Sequence, residues 1–368
     1  MNDYLKDIKL QIEQEKNYED DVSGDDIAPA HYDVTSYGID FDVDGLVKRI
    51  RKGSVYIPEF QRKFVWKMPE SSRFIESLLL GLPVPGIFLA QDFETKKLLV
   101  IDGQQRLLSL KYFYDGYFNP KKDSKTQRVF KLTKVQELFN GKSYEMLDEN
   151  NKRNLDDCVI HATVVKQDYP EDDDTSIFHI FERLNSGGRK FEAQEIRAAI
   201  YQGSFLDTVN ELNEYSSWRK IFGHPNDRMK DHELIIRFFA MFEIHEEYKK
   251  PMAEFINKYM KKNRNAQSDK LNWLSSLFKT CTDLFTASVE NNLFRPVRSL
   301  NIAFFESAMV GLAKRIVSEG EPTEKQVRTA YKKLLETNEF VEAISSSTTD
   351  VAQVEKRLSV AENIFMEV

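Results

Sequence analysis

Little in this chain marks it as secreted, membrane-bound or built around a metal. It has only two cysteines in 368 residues, Cys158 and Cys281, far apart and in apolar surroundings. That excludes a disulfide framework or a paired-cysteine zinc site and points to a reducing compartment. No apolar run approaches the ~20 residues needed to cross a bilayer, and no charged-then-apolar leader opens the chain. A cytoplasmic protein without membrane contact is the expectation. A basic excess is missing too, since the formal net charge is −7. Charge alone therefore does not make this a nucleic-acid binder.

The negative charge is concentrated. Residues 1–31 carry nine acids against three lysines, and the rest is close to neutral. Such a tail reads as a solvated, mobile segment. The basic clusters KKDSKTQR (121–128) and KYMKKNRN (258–265) read as solvated faces rather than phosphate tracks. Familiar catalytic signatures are also missing. The six histidines include no H-E-x-x-H pair, no G-x-S-x-G occurs, and Gly141-Lys142-Ser143 has Gln136 where a P-loop requires its first glycine. Glu94-Thr95-Lys96 falls in a turn and lacks an upstream aspartate suited to a nuclease.

The segments that are present divide the chain. DVDGLVKRIRKG (42–53) reads as a short helix closed by Gly53, and VYIPEF as a brief strand broken by Pro58. Helical spacing of Phe74, Ile75, Leu78 and Leu79 stops at Gly81. IFLAQD and KLLVID read as a hairpin, Gln104 to Asp115 as a helix, 143–156 as a further helix and CVIHATVV (158–165) as a strand. From Thr175 onward only helical periodicity remains, in SIFHIFERLN, EAQEIRAAIYQG, HELIIRFFAMFE and four later runs. The expectation is an acidic tail over 1–31, an α+β domain over 32–185 and an all-helical domain over 186–368.

Three stretches could carry chemistry. In LLVIDGQQRLLSL, Asp102-Gly103-Gln104-Gln105-Arg106 lies where a buried strand hands over to a helix. Asp102 as N-cap with Gln105 three residues on would form a capping box. That explains neither Gln104 nor an arginine in a first turn, where the helix dipole is already positive. An anion site explains both: free N–H groups at the helix start, close approach over Gly103 and the forked charge of Arg106 would suit a phosphate. Asp102 could instead hold a metal or position a water. IPEFQRKFVW repeats the Gln-Arg chemistry in Gln61-Arg62 at a second strand end, with Phe64, Val65 and Trp66 as packing. In FERLNSGGRKFEAQEIR, Asn185, Gly187 and Gly188 form either a glycine-closed helix corner or a nest for phosphate oxygens. Glu195 and Arg197 follow one turn later, as a brace for that loop or a surface pair.

With these motifs in order, the chain resembles the N-terminal domain of GmrSD-type modification-dependent restriction enzymes. The resemblance covers about residues 40–200 and extends to RMKDHELIIRFF (228–239), which adds Arg228 to the supporting residues. It implies a ParB/sulfiredoxin-like α+β fold whose D-G-x-x-R turn binds and hydrolyses a nucleoside triphosphate with Mg²⁺. Carried over, Asp102, Gln104, Gln105 and Arg106 would be the catalytic set, with Asp102 as the magnesium ligand. Gln61, Arg62, Gly103, Asn185, Gly187 and Gly188 would bind nucleotide, with Glu195, Arg197 and Arg228 in support. Full-length restriction members end in a His-Asn-His nuclease domain that is not legible here, so DNA cleavage by this chain alone is not expected. The expectation is a nucleotide-dependent module of a restriction or anti-phage defence system, acting on DNA or on a separately encoded nuclease or effector. The alternatives are a non-catalytic ParB-like DNA- or ligand-binding protein, a nuclease built from dispersed acids, and a scaffold acting through its helical half.

Overall fold

The computed structural model describes residues 33–58, 64–92, 95–120, 126–169 and 192–368, with Phe178 and Ile180 besides. The acidic tail, Gln61-Arg62 and most of SIFHIFERLNSGGRK lie outside the described residues. The chain divides into two compact units, one ending at Phe191 and the other running from Glu192 to Val368.

The first unit is a mixed α/β layer. Its strands are β1 (Asp33–Asp42), β2 (Val55–Tyr56), β3 (Ile87–Gln91), β4 (Leu98–Asp102) and β5 (Val159–Tyr169). They form one sheet in the order β1-β5-β3-β4-β2. β1 pairs antiparallel with β5, β5 runs parallel to β3, and β3 and β4 form the expected hairpin. Its helices include α1 (Val43–Arg51), α2 (Met68–Leu79), α3 (Gln104–Asp115) and α4 (Glu149–Asp156). Their apolar faces meet the sheet in a core that includes Leu46, Ile75, Leu78, Leu107, Phe113 and Val164.

β1 is not among the strands expected from sequence. Its signal is there, because Tyr37, Ile39 and Phe41 alternate with Ser36, Gly38 and Asp40 and pack on the core side. Asp42 then ends the strand and caps α1, accepting from the Gly45 N–H. The helix expected over 143–156 is instead a single 3₁₀ turn, Tyr144–Met146, followed by α4. The strand begun at Val159 runs on to Tyr169, beyond the apolar run, because β1 supplies a partner along its whole length.

The second unit is helical throughout. It comprises α5 (Ala193–Ile200), α6 (Ser204–Asn213), α7 (Ser216–Phe222), α8 (Lys230–Ile244), α9 (Met252–Asn263), α10 (Ser268–Ser288), α11 (Ile302–Glu319), α12 (Glu324–Glu336), α13 (Asn338–Ala343) and α14 (Val351–Met366). Fully buried Trp218 packs on Phe278 at 5.7 Å and Phe305 at 5.3 Å between ring centroids. Ion pairs are also buried. Glu306 on α11 holds Arg237 of α8 and Arg357 of α14, and Asp231 pairs with Arg219 and lies 2.9 Å from His232 Nδ1. No described helix is long and apolar enough to cross a membrane.

Candidate functional site

The strand-to-helix turn begins with an all-buried run, Leu98 to Ile101. Asp102 ends β4, and Gly103 takes a left-handed backbone with φ 102°. Two constraints demand glycine there. The left-handed region disfavours a side chain, and a Cβ would lie 2.5 Å from Ile87 Cγ2. The expected capping box does not form. Gly103, not Asp102, is the N-cap, and no side chain caps α3. At φ 102° the chain turns too sharply for the Asp102 carboxylate to reach back over the first turn.

Both residues of that supposed box are engaged elsewhere. Gln105 Oε1 accepts from the backbone N–H of Val65 at 3.0 Å and of Trp66 at 3.2 Å. It ties the segment after IPEFQRK to the start of α3. Phe64 and Trp66 anchor that segment edge-on, Phe64 against Tyr112 at 5.1 Å and Trp66 against Phe74 at 5.9 Å. Val65, expected to pack with them, is 70% exposed. Ser109 strengthens the same join, donating to Gln105 O and hydrogen-bonding the Ser71 hydroxyl of α2.

Arg106 explains its own unfavourable position. Its Nη2 donates to Asp102 Oδ2 at 2.7 Å, the opposite charge one turn back. Its Nη1 donates to the carbonyls of Pro85 at 2.6 Å and Gly86 at 2.8 Å. The fork therefore pins three backbone or side-chain acceptors at the mouth of β3 and β4. With 14% of its side chain exposed it is largely withdrawn from solvent, whereas Asp102 keeps 40%. Charge-assisted bonds of this kind are about twice as strong as neutral ones.

Two groups are left facing outward. Asp102 Oδ1 and the Gln104 side-chain amide have no hydrogen-bond partner among the described residues. Among the described residues no three His, Cys, Asp or Glu side chains gather as a metal cage. One carboxylate oxygen still fits magnesium, which is commonly held by one or two carboxylates together with substrate phosphates.

Of the other expected site residues, Gln61, Arg62, Asn185, Gly187 and Gly188 lie outside the described residues. Glu195, Arg197 and Arg228 belong to the helical unit. Glu195 accepts from the Glu192 N–H at 2.8 Å and from Arg228 at 3.3 Å. Arg197, 2% exposed, bonds Asn257, Gln194 and Glu233. Glu195 and Arg197 are thus buried braces of the helical unit rather than a surface pair. One pairing at the sheet end was not expected from sequence. His161 and Asp40 meet across β5 and β1. Only the strand register reveals that pair, because 121 residues separate its members.

Comparison with known proteins bears on the same region. Residues 43–202 match the family model of the GmrSD restriction endonuclease N-terminal domain. An uncharacterized protein of Methanocaldococcus jannaschii is 33% identical over 110 residues, covering 23% of this chain and 19% of that protein. The chain therefore spans about a fifth of that relative's length.

Proposed function

We propose, from the match of residues 43–202 to the family model of the GmrSD restriction endonuclease N-terminal domain, a nucleoside triphosphate-binding and -hydrolysing module of a restriction or defence system. The observation that carries the reading is the start of α3, a helix of 12 residues that opens at left-handed Gly103 with no side-chain cap. Beside it stands a carboxylate with one oxygen unpartnered. Uncapped helix starts favour phosphate through their N–H groups and dipole.

In this reading the phosphate chain lies on the α3 start, with the Gln104 amide as a further donor. Asp102 Oδ1 would hold Mg²⁺, which on binding would neutralise phosphate charge. Catalysis of phosphoryl transfer is chiefly positioning and electrostatics. Arg106 then acts through geometry: it fixes the Asp102 carboxylate and the Pro85-Gly86 backbone around the ligand, and Gln105 fixes the chain that follows Gln61-Arg62. The helical unit would pass nucleotide state to DNA or to a separately encoded nuclease or effector.

Triphosphate affinity measured with Mg²⁺ on wild type and Arg106→Ala tests the assignment. The bonds Arg106 makes lie within the protein, so their loss lowers affinity only by releasing the Asp102 carboxylate and the Pro85-Gly86 backbone from the site. A misplacement that weakens binding by about 1.4 kcal/mol would lower affinity about tenfold. Full affinity in the variant would remove the site from this turn. A non-catalytic ligand-binding domain is the second reading, favoured by the engagement of the Arg106 fork with Asp102, Pro85 and Gly86. Binding with no turnover in Mg²⁺ would select it.

A further inference from the structure

Four strand ends meet at one end of the sheet. β3 starts beside Asp102 through the Phe88–Asp102 pairing, β5 starts beside β3 through Ile87–Ala162, and β1 ends beside β5 through Asp42–Val159. His161 stands in this row, on the face opposite the buried Ile160 and Ala162. Its Nδ1 lies 2.8 Å from Asp40 Oδ1, and both side chains are more than half exposed, at 62% and 66%.

A pair so exposed contributes little to stability, yet the backbone around it is cleared on both sides. A Cβ on Gly38 of β1 would lie 2.9 Å from His161 Cε1. A Cβ on Gly86 would lie 2.8 Å from the His161 carbonyl oxygen and 3.7 Å from Cδ2. Gly86 is also the residue whose carbonyl accepts from Arg106 at 2.8 Å. Gly86 therefore adjoins both Arg106, through its carbonyl, and the backbone of His161.

The chemistry of the pair is directional. A carboxylate accepting from Nδ1–H fixes the tautomer whose Nε2 carries a lone pair, and Nε2 has no partner among the described residues. We propose that His161, oriented by Asp40, is the base for the water that attacks the bound triphosphate, an inference that rests on the hydrolytic reading above. The water oxygen forms a bond to the terminal phosphorus while the bridging phosphorus–oxygen bond breaks, its electron pair leaving with the nucleoside diphosphate. The water proton passes to Nε2 and then to solvent, and inorganic phosphate is released.

The test uses the full chain with Mg²⁺ and a triphosphate, measuring binding and phosphate release for wild type, His161→Ala and Asp40→Asn. A positioned base contributes about 10²–10⁴-fold. His161→Ala should therefore lower turnover at least about 100-fold, with affinity within about twofold of wild type and with partial rescue by added imidazole. Asp40→Asn should lower kcat and leave KM unchanged, since it acts through the ring. Undiminished turnover in His161→Ala, or a loss of affinity equal to the loss of rate, overturns the assignment of the base while leaving the nucleotide site standing. Wild type that binds triphosphate without releasing phosphate overturns both the base and the hydrolytic reading.

Discussion

Replacing Glu306 by alanine is expected to destabilise the helical unit by about 3–5 kcal/mol, the usual cost of breaking a buried ion pair from one side. The carboxylate is 1% exposed. Its two oxygens accept separately from Arg357 at 2.7 Å and Arg237 at 2.9 Å. Arg357 is fully buried, and its other contact is a hydrogen bond to the Thr348 carbonyl. Its Nε has no hydrogen-bond partner among the described residues. Without Glu306 a guanidinium charge would stay buried with a carbonyl as its compensation. Burial on its own would raise the Glu306 pKa, but the two arginines outweigh it and hold the carboxyl below the ordinary range. A lowered folded-state pKa means that this contribution is complete above the unfolded glutamate range and is lost as pH falls through the lowered value. Denaturant unfolding at neutral pH measures the effect, and a loss under 1 kcal/mol would show that the triad carries little. The same variant should lose the share of the acid-end pH dependence that Glu306 contributes, leaving that of carboxylates such as Asp231.

The second large effect is expected at Asp102. Asparagine keeps the shape of the side chain and can still accept from Arg106 Nη2, so the turn should hold. It loses the negative charge that balances a guanidinium 2.7 Å away and that would hold a divalent cation. Turnover with Mg²⁺ is therefore expected to fall about 10²–10³-fold, the scale seen when a single preorganised electrostatic group is removed. Affinity for triphosphate should change far less, because the helix-start donors remain. Single-turnover phosphate release separates the two quantities. Equal losses of rate and affinity would make Asp102 a binding residue, and unchanged rates would remove it from the chemistry.

Local signals made much of this legible in the sequence. Gly103 and Gly116, both left-handed, bracket α3 at the residues expected. The β3–β4 hairpin and the longer helices also follow from apolar spacing. What stayed hidden depends on distance along the chain. Arg106 reads as a free cation because the Pro85 and Gly86 carbonyls that hold it lie 21 and 20 residues upstream. Asp102 at the favourable four-residue spacing was visible, and it is the negative partner that an arginine in a first turn requires. Gln105 looked like half of a capping box, since its true partners lie 40 and 39 residues away. β1 was obscured by the acidic tail before it and by polar residues on its open face. The Asp40–His161 pair became visible only through β1 and its register. Short helices such as Ser216–Phe222 lack enough turns to show a period and are held by packing around Trp218.

The proposed role of the Asp102–Arg106 turn is to bind and hydrolyse a nucleoside triphosphate. Phosphate release from purified protein tests it most directly, with each of the four triphosphates and Mg²⁺, with and without DNA, beside Asp102→Asn and Arg106→Ala. Release is expected with at least one triphosphate, lost in both variants and abolished by chelation of the metal. Release that persists in both variants, or no release with any triphosphate, would contradict it.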